Sequence, residues 1–148
     1  MENNFSVART SNQLIKEVYN VNIYEQLTNI SLDYSVLGSL KEFFQESDGI
    51  NDFVLIVTTY LQETTQKLNE LKEVITKKDT NRLKLMAHGL KGISATLGVL
   101  RFSRLCSDLE KIAQNQLFEE AKPILVQAQE EFNYIRILLL RNMATLNH

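Results

Sequence analysis

The chain holds one cysteine, one proline and five glycines among 148 residues. Each scarcity removes a class of explanation. The lone thiol, Cys106, cannot close an internal disulfide, and no cysteine–histidine cluster has zinc spacing, so no metal site is expected. A reducing, cytoplasmic setting is the natural reading. Few helix breakers beside many Leu, Glu, Lys and Gln favour helices. There is no run of about 18 apolar residues, so no membrane-spanning segment is expected. The opening Met1-Glu2-Asn3-Asn4 lacks the basic and apolar regions of a secretory signal. Basic residues number 16 and acidic residues 18, a formal charge of −2, so nucleic acid is not an expected partner. Neither G-x-x-x-x-G-K-[ST] nor G-x-G-x-x-G occurs to cradle a nucleotide.

What is present is helical periodicity. Residues 1–9 read as a loose polar tail. Thr10 and Gln13 have capping-box spacing ahead of a short amphipathic stretch, Ser11 to Tyr19, with Leu14, Ile15 and Val18 on one side. Residues 21–30 either extend it or form a further turn or two. Val36, Leu37, Leu40, Phe43 and Phe44 predict a helix over about 33–45, and Ser47-Asp48-Gly49 a turn. A long stripe of Phe53, Val57, Tyr60, Leu61, Thr64, Leu68, Leu71 and Ile75 predicts a helix over about 51–77.

Asp79 stands as an N-cap before a helix over about 80–97, and Gly98 as the residue that ends it. The next helix begins near Val99 with Phe102, Leu105, Cys106, Leu109, Ile112 and Ala113 on its stripe, where Cys106 reads as a buried, inert thiol. The last covers about 119–143 through Ala121, Leu125, Ala128, Phe132, Ile135 and Leu139. Pro123 suits only its first turn. Short connections make neighbouring helices antiparallel. The expected fold is all-α: an up-down antiparallel four-helix bundle with one or two extra N-terminal helices. The expected division is 1–30, a tail with a short helix, and 31–148, the bundle.

The helix over 80–97 carries the chemistry. At about 100° per residue, Leu83, Met86, Leu90, Ile93 and Leu97 form its core face, with Ala87 at the edge. His88 lies roughly opposite, and Lys84, Lys91, Gly92 and Ala95 fall within about 60° of it. A histidine facing away from the core is either idle or chemical. Gly89 and Gly92 each cost the helix roughly 0.8–1.0 kcal/mol against Ala. Gly92, one turn on, would let another protein's backbone approach the imidazole, whereas Gly89, on the flank, suits tight helix packing. Lys84 and Lys91 are surface neighbours of His88, oppose its protonation and attract anions. Ser94 falls toward the core and reads as a packing residue whose hydroxyl bonds back to its own helix. The other histidine, His148, reads as a tail residue. His88 is thus a candidate nucleophile or carrier whose donor and acceptor are other proteins.

Ala87-His88-Gly89-Leu90-Lys91-Gly92, continuing through Ser94, Leu97 and Gly98 to Leu105, Cys106, Leu109 and Glu110, resembles the histidine-containing phosphotransfer (HPt) family. The motif block covers 83–110 and the weaker helical pattern about 33–143, with Asp33 opening the first bundle helix and Asp79 the histidine helix. The resemblance implies a phosphorelay carrier that takes a phosphoryl group from a receiver-domain aspartate and gives it to another, with no ATP binding or autokinase activity. It implies that His88 is phosphorylated, that Lys91 contacts the phosphoryl oxygens, and that Gly92 keeps the approach open. It implies that Glu110 reaches the other imidazole nitrogen, a contact that fixes the tautomer and leaves Nε2 free. Glu110 would favour the protonated ring and the lysines oppose it. Lys84 and Ala95 complete the expected docking surface.

Receiver domains of response regulators, and a sensor or hybrid histidine kinase, are the implied partners. The chain itself is expected to be a monomer with no cofactor, and Mg²⁺ to sit on the receiver. Two other readings remain at this stage. A helical adaptor could dock on signalling partners without carrying phosphate, though it would have no need of a histidine there. A haem-binding bundle would want His88 facing inward.

Overall fold

The computed structural model describes residues 29–46 and 49–144. Within them the chain forms five helices: α1 (Tyr34–Glu46), α2 (Ile50–Thr76), α3 (Thr80–Thr96), α4 (Leu100–Asn115) and α5 (Phe118–Ala144). Helices α2 to α5 are the four-helix bundle, and α1 is an extra N-terminal helix leaning on α2. The short helix expected over 11–19 lies outside the described residues, as do Ser47, Asp48 and His148. Asp33 does open a helix, its Oδ1 accepting from the backbone N–H of Ser35 at 3.0 Å. That helix is the added α1 rather than a member of the bundle.

Cross-helix contacts give the directions. Arg82 reaches Glu70 near one end of α2 and α3, and Ser94 meets Tyr60 further along, as antiparallel neighbours must. Ile75 and Thr76 at the end of α2 line a cleft with Phe118 and Lys122 at the start of α5, while Tyr60, earlier on α2, meets Phe132, later on α5, edge to face, so the outer pair also runs antiparallel. The core is aliphatic around Phe53, Phe102 and Phe132, and the stripes expected on α2, α4 and α5 are buried throughout. A full apolar side chain contributes about 1.5–3 kcal/mol on burial, so these three stripes drive assembly.

Two expectations shift. Phe43 faces outward against Phe44, leaving Leu37 as the buried residue of α1. Helix α3 is rotated from its expected setting: Ala87 and Ser94 are fully buried, Met86 only partly, and Ile93 is exposed. The hydroxyl of Ser94 does not bond back to its own helix but lies 2.7 Å from that of Tyr60. Burying that phenol requires a partner, and a small polar residue provides one while letting α2 and α3 approach. The same burial pushes the Tyr60 phenol and the Cys106 thiol to higher pKa, keeping both neutral.

The connections share one device. After α3, Val99 N–H bonds Ser94 C=O at 2.9 Å and Gly98 N–H bonds Ala95 C=O at 3.0 Å. This is the Schellman closure, with Gly98 in the left-handed region at φ +78°. A side chain on Gly98 would also meet the Asp33 carbonyl at 2.8 Å. That closeness is used: Asp33 N–H bonds Gly98 C=O, and Leu32 bridges Val99. The same closure follows α2 and α4, but with Lys78 (φ 55°) and Gln116 (φ 56°) in the left-handed position. Pro123 sits one turn deeper in α5 than expected, on its exposed side.

Candidate functional site

Three residues from two helices meet on the surface of the bundle. Asp79 starts α3 by accepting from Arg82 N–H at 3.2 Å, and the periodicity then carries His88 and Lys91 onto the flank facing α4. Ser103 pins the two helices together here, donating its hydroxyl to the Lys91 carbonyl at 2.8 Å. Glu110, about two turns further along α4, then points back at α3.

The His88 side chain is 66% exposed and Glu110's only 12%. The imidazole Nδ1 lies 3.0 Å from Glu110 Oε1, and Lys91 Nζ lies 2.7 Å from Oε2. One carboxylate therefore serves both neighbours, one oxygen each. The Lys91 ammonium, donating to Glu110, holds that carboxyl below its usual range, and His88 adds to the effect against the opposing cost of burial. An ionised carboxylate accepts only, so the ring nitrogen facing it carries the proton. In that tautomer the Nε2 lone pair is available on the exposed part of the ring, and Nε2 has no partner among the described residues.

The remaining residues divide. Gly92 is exposed, and a Cβ there would meet nothing within 4 Å. Gly89 is equally open, so tight helix packing does not account for it. Ala95 is exposed on the same helix. Lys84 is exposed too but stays out of the cluster, with no ion pair among the described residues. His88 thus has one close cation rather than two, and Glu110 answers that cation's charge. Periodicity alone leaves Glu110 an ordinary surface acid; the resemblance alone singled it out. Leu85 and Ile93 are exposed apolar residues on α3 that the sequence reading missed as surface. Among the described residues no group of three or more His, Cys, Asp or Glu could hold a metal ion, and no helix is long and apolar enough to cross a membrane.

A helical bundle that offers one exposed histidine, steadied by an acid from the adjacent helix, belongs to the phosphotransfer class of folds. The Hpt domain family model matches residues 55–145, and the chain belongs to that family. The match starts within α2, leaving α1 outside it. Among solved structures, histidine-containing phosphotransfer protein B (HptB) from Pseudomonas aeruginosa PAO1 is similar at TM-score 0.71 and 25% identity, covering 78% of this chain and 96% of its own. Yeast Ypd1p matches at TM-score 0.68 and 14% identity, covering 77% and 95%. The histidine-containing phosphotransfer protein MtHPt2 from Medicago truncatula matches at 0.66 and 20%, covering 95% and 92%. The last two likenesses concern the fold alone. No curated protein matches by sequence.

Proposed function

We propose that this Hpt-family chain relays phosphoryl groups through His88, accepting one from a receiver-domain aspartate and passing it to another receiver's aspartate. The observation that carries this reading is the Glu110 contact at Nδ1 of an otherwise exposed ring. The Nε2 lone pair attacks phosphorus as the bond to the aspartyl oxygen breaks, its electron pair leaving with that carboxylate. The product is an Nε2-phosphoimidazolium with the Nδ1 proton still in place. The reverse step, onto a second receiver, returns His88 to its starting form.

Such transfer rests on positioning and charge neutralisation more than on covalent chemistry supplied by the carrier. Lys91 supplies the cation for the phosphoryl oxygens, while Mg²⁺ and its acidic pocket come from the receiver. Gly92 leaves room beside the ring for the receiver's backbone, and Lys84 and Ala95 border that approach. The apolar part of the docking surface comes from Leu85 and Ile93 on α3 and from Tyr34 on α1, all exposed. The chain is a carrier with no ATP-binding or autokinase step of its own. It works in the cytoplasm as a monomer between a sensor or hybrid kinase and a response regulator.

Incubation with a phosphorylated receiver domain tests this. Label that is acid-labile and base-stable is expected on the wild type and absent from His88→Gln. No transfer across a panel of receivers would overturn the reading in favour of a phosphate-free adaptor. Gly92→Gln is expected to impair transfer more than stability; unchanged rates would remove the close-approach role.

A further inference from the structure

The acid at position 110 does more than a neutral hydrogen-bond acceptor could, because its two oxygens are divided between the nucleophile's ring and the nearby cation. Resting on the phosphotransfer reading, we propose that the negative charge of Glu110 sets the lifetime of phosphorylated His88, making the domain a fast relay rather than a phosphoryl store.

Two effects act in the same direction. After transfer the ring is a phosphoimidazolium whose positive charge lies against Oε1. A carboxylate there keeps the Nδ1 proton in place, so the ring departs from phosphorus as neutral imidazole, a better leaving group than the anion it would otherwise become. Meanwhile Oε2 holds the Lys91 ammonium at 2.7 Å, in competition with the phosphoryl oxygens that the same ammonium would neutralise. The side chain of Lys91 is 34% exposed, against 12% for Glu110, so the lysine is the partner with room to move. Resting and phosphorylated states thus differ in how one cation is shared between two anions, and a full charge on Glu110 limits how far Lys91 is given up. Charge-assisted contacts of this kind are roughly twice as strong as neutral ones.

The surroundings leave this balance to the three residues. The charged groups acting on Glu110 are Lys91 and His88, both on α3. On the α5 side, Glu119 and Glu120 line a separate cleft with Asp108 and Lys111. Ser103 holds the Lys91 backbone to α4, so the lysine can change partner without the helices sliding.

Glu110→Gln separates charge from shape, since the amide oxygen can still accept from Nδ1–H. Phosphorylated wild type and variant are freed of receiver, and the decay of label at neutral pH is followed. The variant's phosphohistidine is expected to last roughly three- to tenfold longer, and its onward transfer to slow, as a charged contact becomes a neutral one. ¹⁵N NMR of the unphosphorylated proteins is expected to show the Nδ1–H tautomer in both, and its loss in Glu110→Ala. In a Lys91→Gln background the lengthening is expected to shrink, because part of it acts through the lysine. An unchanged half-life with the tautomer preserved overturns the role of charge while leaving the relay intact. Failure of the wild type to take any label overturns the relay and this proposal together.

Discussion

Two glutamates in this bundle are nearly buried, and they serve different ends. Glu110 on α4 faces His88 and Lys91, with the imidazole largely in solvent. Glu131 on α5 accepts from the Ser31 hydroxyl and lies 3.7 Å from Arg101 Nε. Ser31 belongs to the strip that pairs with the start of α4, where Arg101 N–H bonds Ile30 C=O and Leu100 N–H bonds Ser31 C=O. Glu131 ties a chain segment to the bundle, and Glu110 ties a reactive group. Burial and an ion pair are common to both, so neither marks a functional acid. What distinguishes them is whether a partner can reach solvent and react.

The contrast can be broken most sharply at His88. His88→Gln is expected to remove all phosphoryl acceptance with thermal stability unchanged; residual label would mean the wrong nucleophile. Glu131→Ala is expected to lower stability by about 2 kcal/mol, as for the loss of a hydrogen bond to a charged group. Its transfer rate should stay at the wild-type value. A transfer defect without a stability loss, measured by denaturant melts beside the transfer assay, would erase the distinction between the two acids. Glu110→Ala is the mirror case. Transfer should fall by roughly tenfold or more, the lower range for a group that aids proton placement. Stability should fall by no more than about 1 kcal/mol, as for a pair with exposed partners.

Acidity sharpens the same point. The Glu110 carboxyl is held below its ordinary range, so its stabilising contribution is complete above that ordinary range. It is lost as pH falls through the lowered value. Glu110→Gln should remove that part of the acid sensitivity, and identical acid melts for the two proteins would mean that the ion pair is idle. The smallest effect expected is at Gln116, left-handed at the α4–α5 turn. Gln116→Gly should change stability by about 1 kcal/mol or less in the favourable direction, relief of the Cβ clash being partly offset by a freer unfolded chain. Phosphotransfer should not change. Gly98→Ala should do the opposite, because both φ and the Asp33 carbonyl oppose a side chain there.

Most of the bundle was legible without coordinates. The stripes of α2, α4 and α5 are one-sided enough that a helical wheel picks their buried faces correctly, and Asp79 and Gly98 mark the ends of α3 by local chemistry. On α3 the wheel places Leu83, Leu90 and Leu97 correctly but misses that two small residues complete the core face in place of Met86 and Ile93. Ala87 and Ser94 are buried for the close approach and hydroxyl contact they allow, not for their hydrophobicity. Ile93, read as core from its apolar side chain, is displaced to the surface. The turns at Lys78 and Gln116 were illegible for a related reason. The left-handed conformation there is imposed by the closing helices and leaves no glycine in the sequence.

At the site, the sequence by itself determined the helix, the outward-facing histidine and the open glycine after it, because those follow from a repeat of 3.6 residues along one segment. The tertiary structure decided which of the two lysines belongs to the cluster and brought to the ring an acid that helical spacing does not reveal. Glu110 is 22 positions away, and Lys84, one turn before His88, takes no part. Which acid meets the imidazole depends on the rotation of α3 and on its register against α4, held by Ser103 and the core beneath. Those are packing outcomes between distant segments, and no periodicity within either helix encodes them.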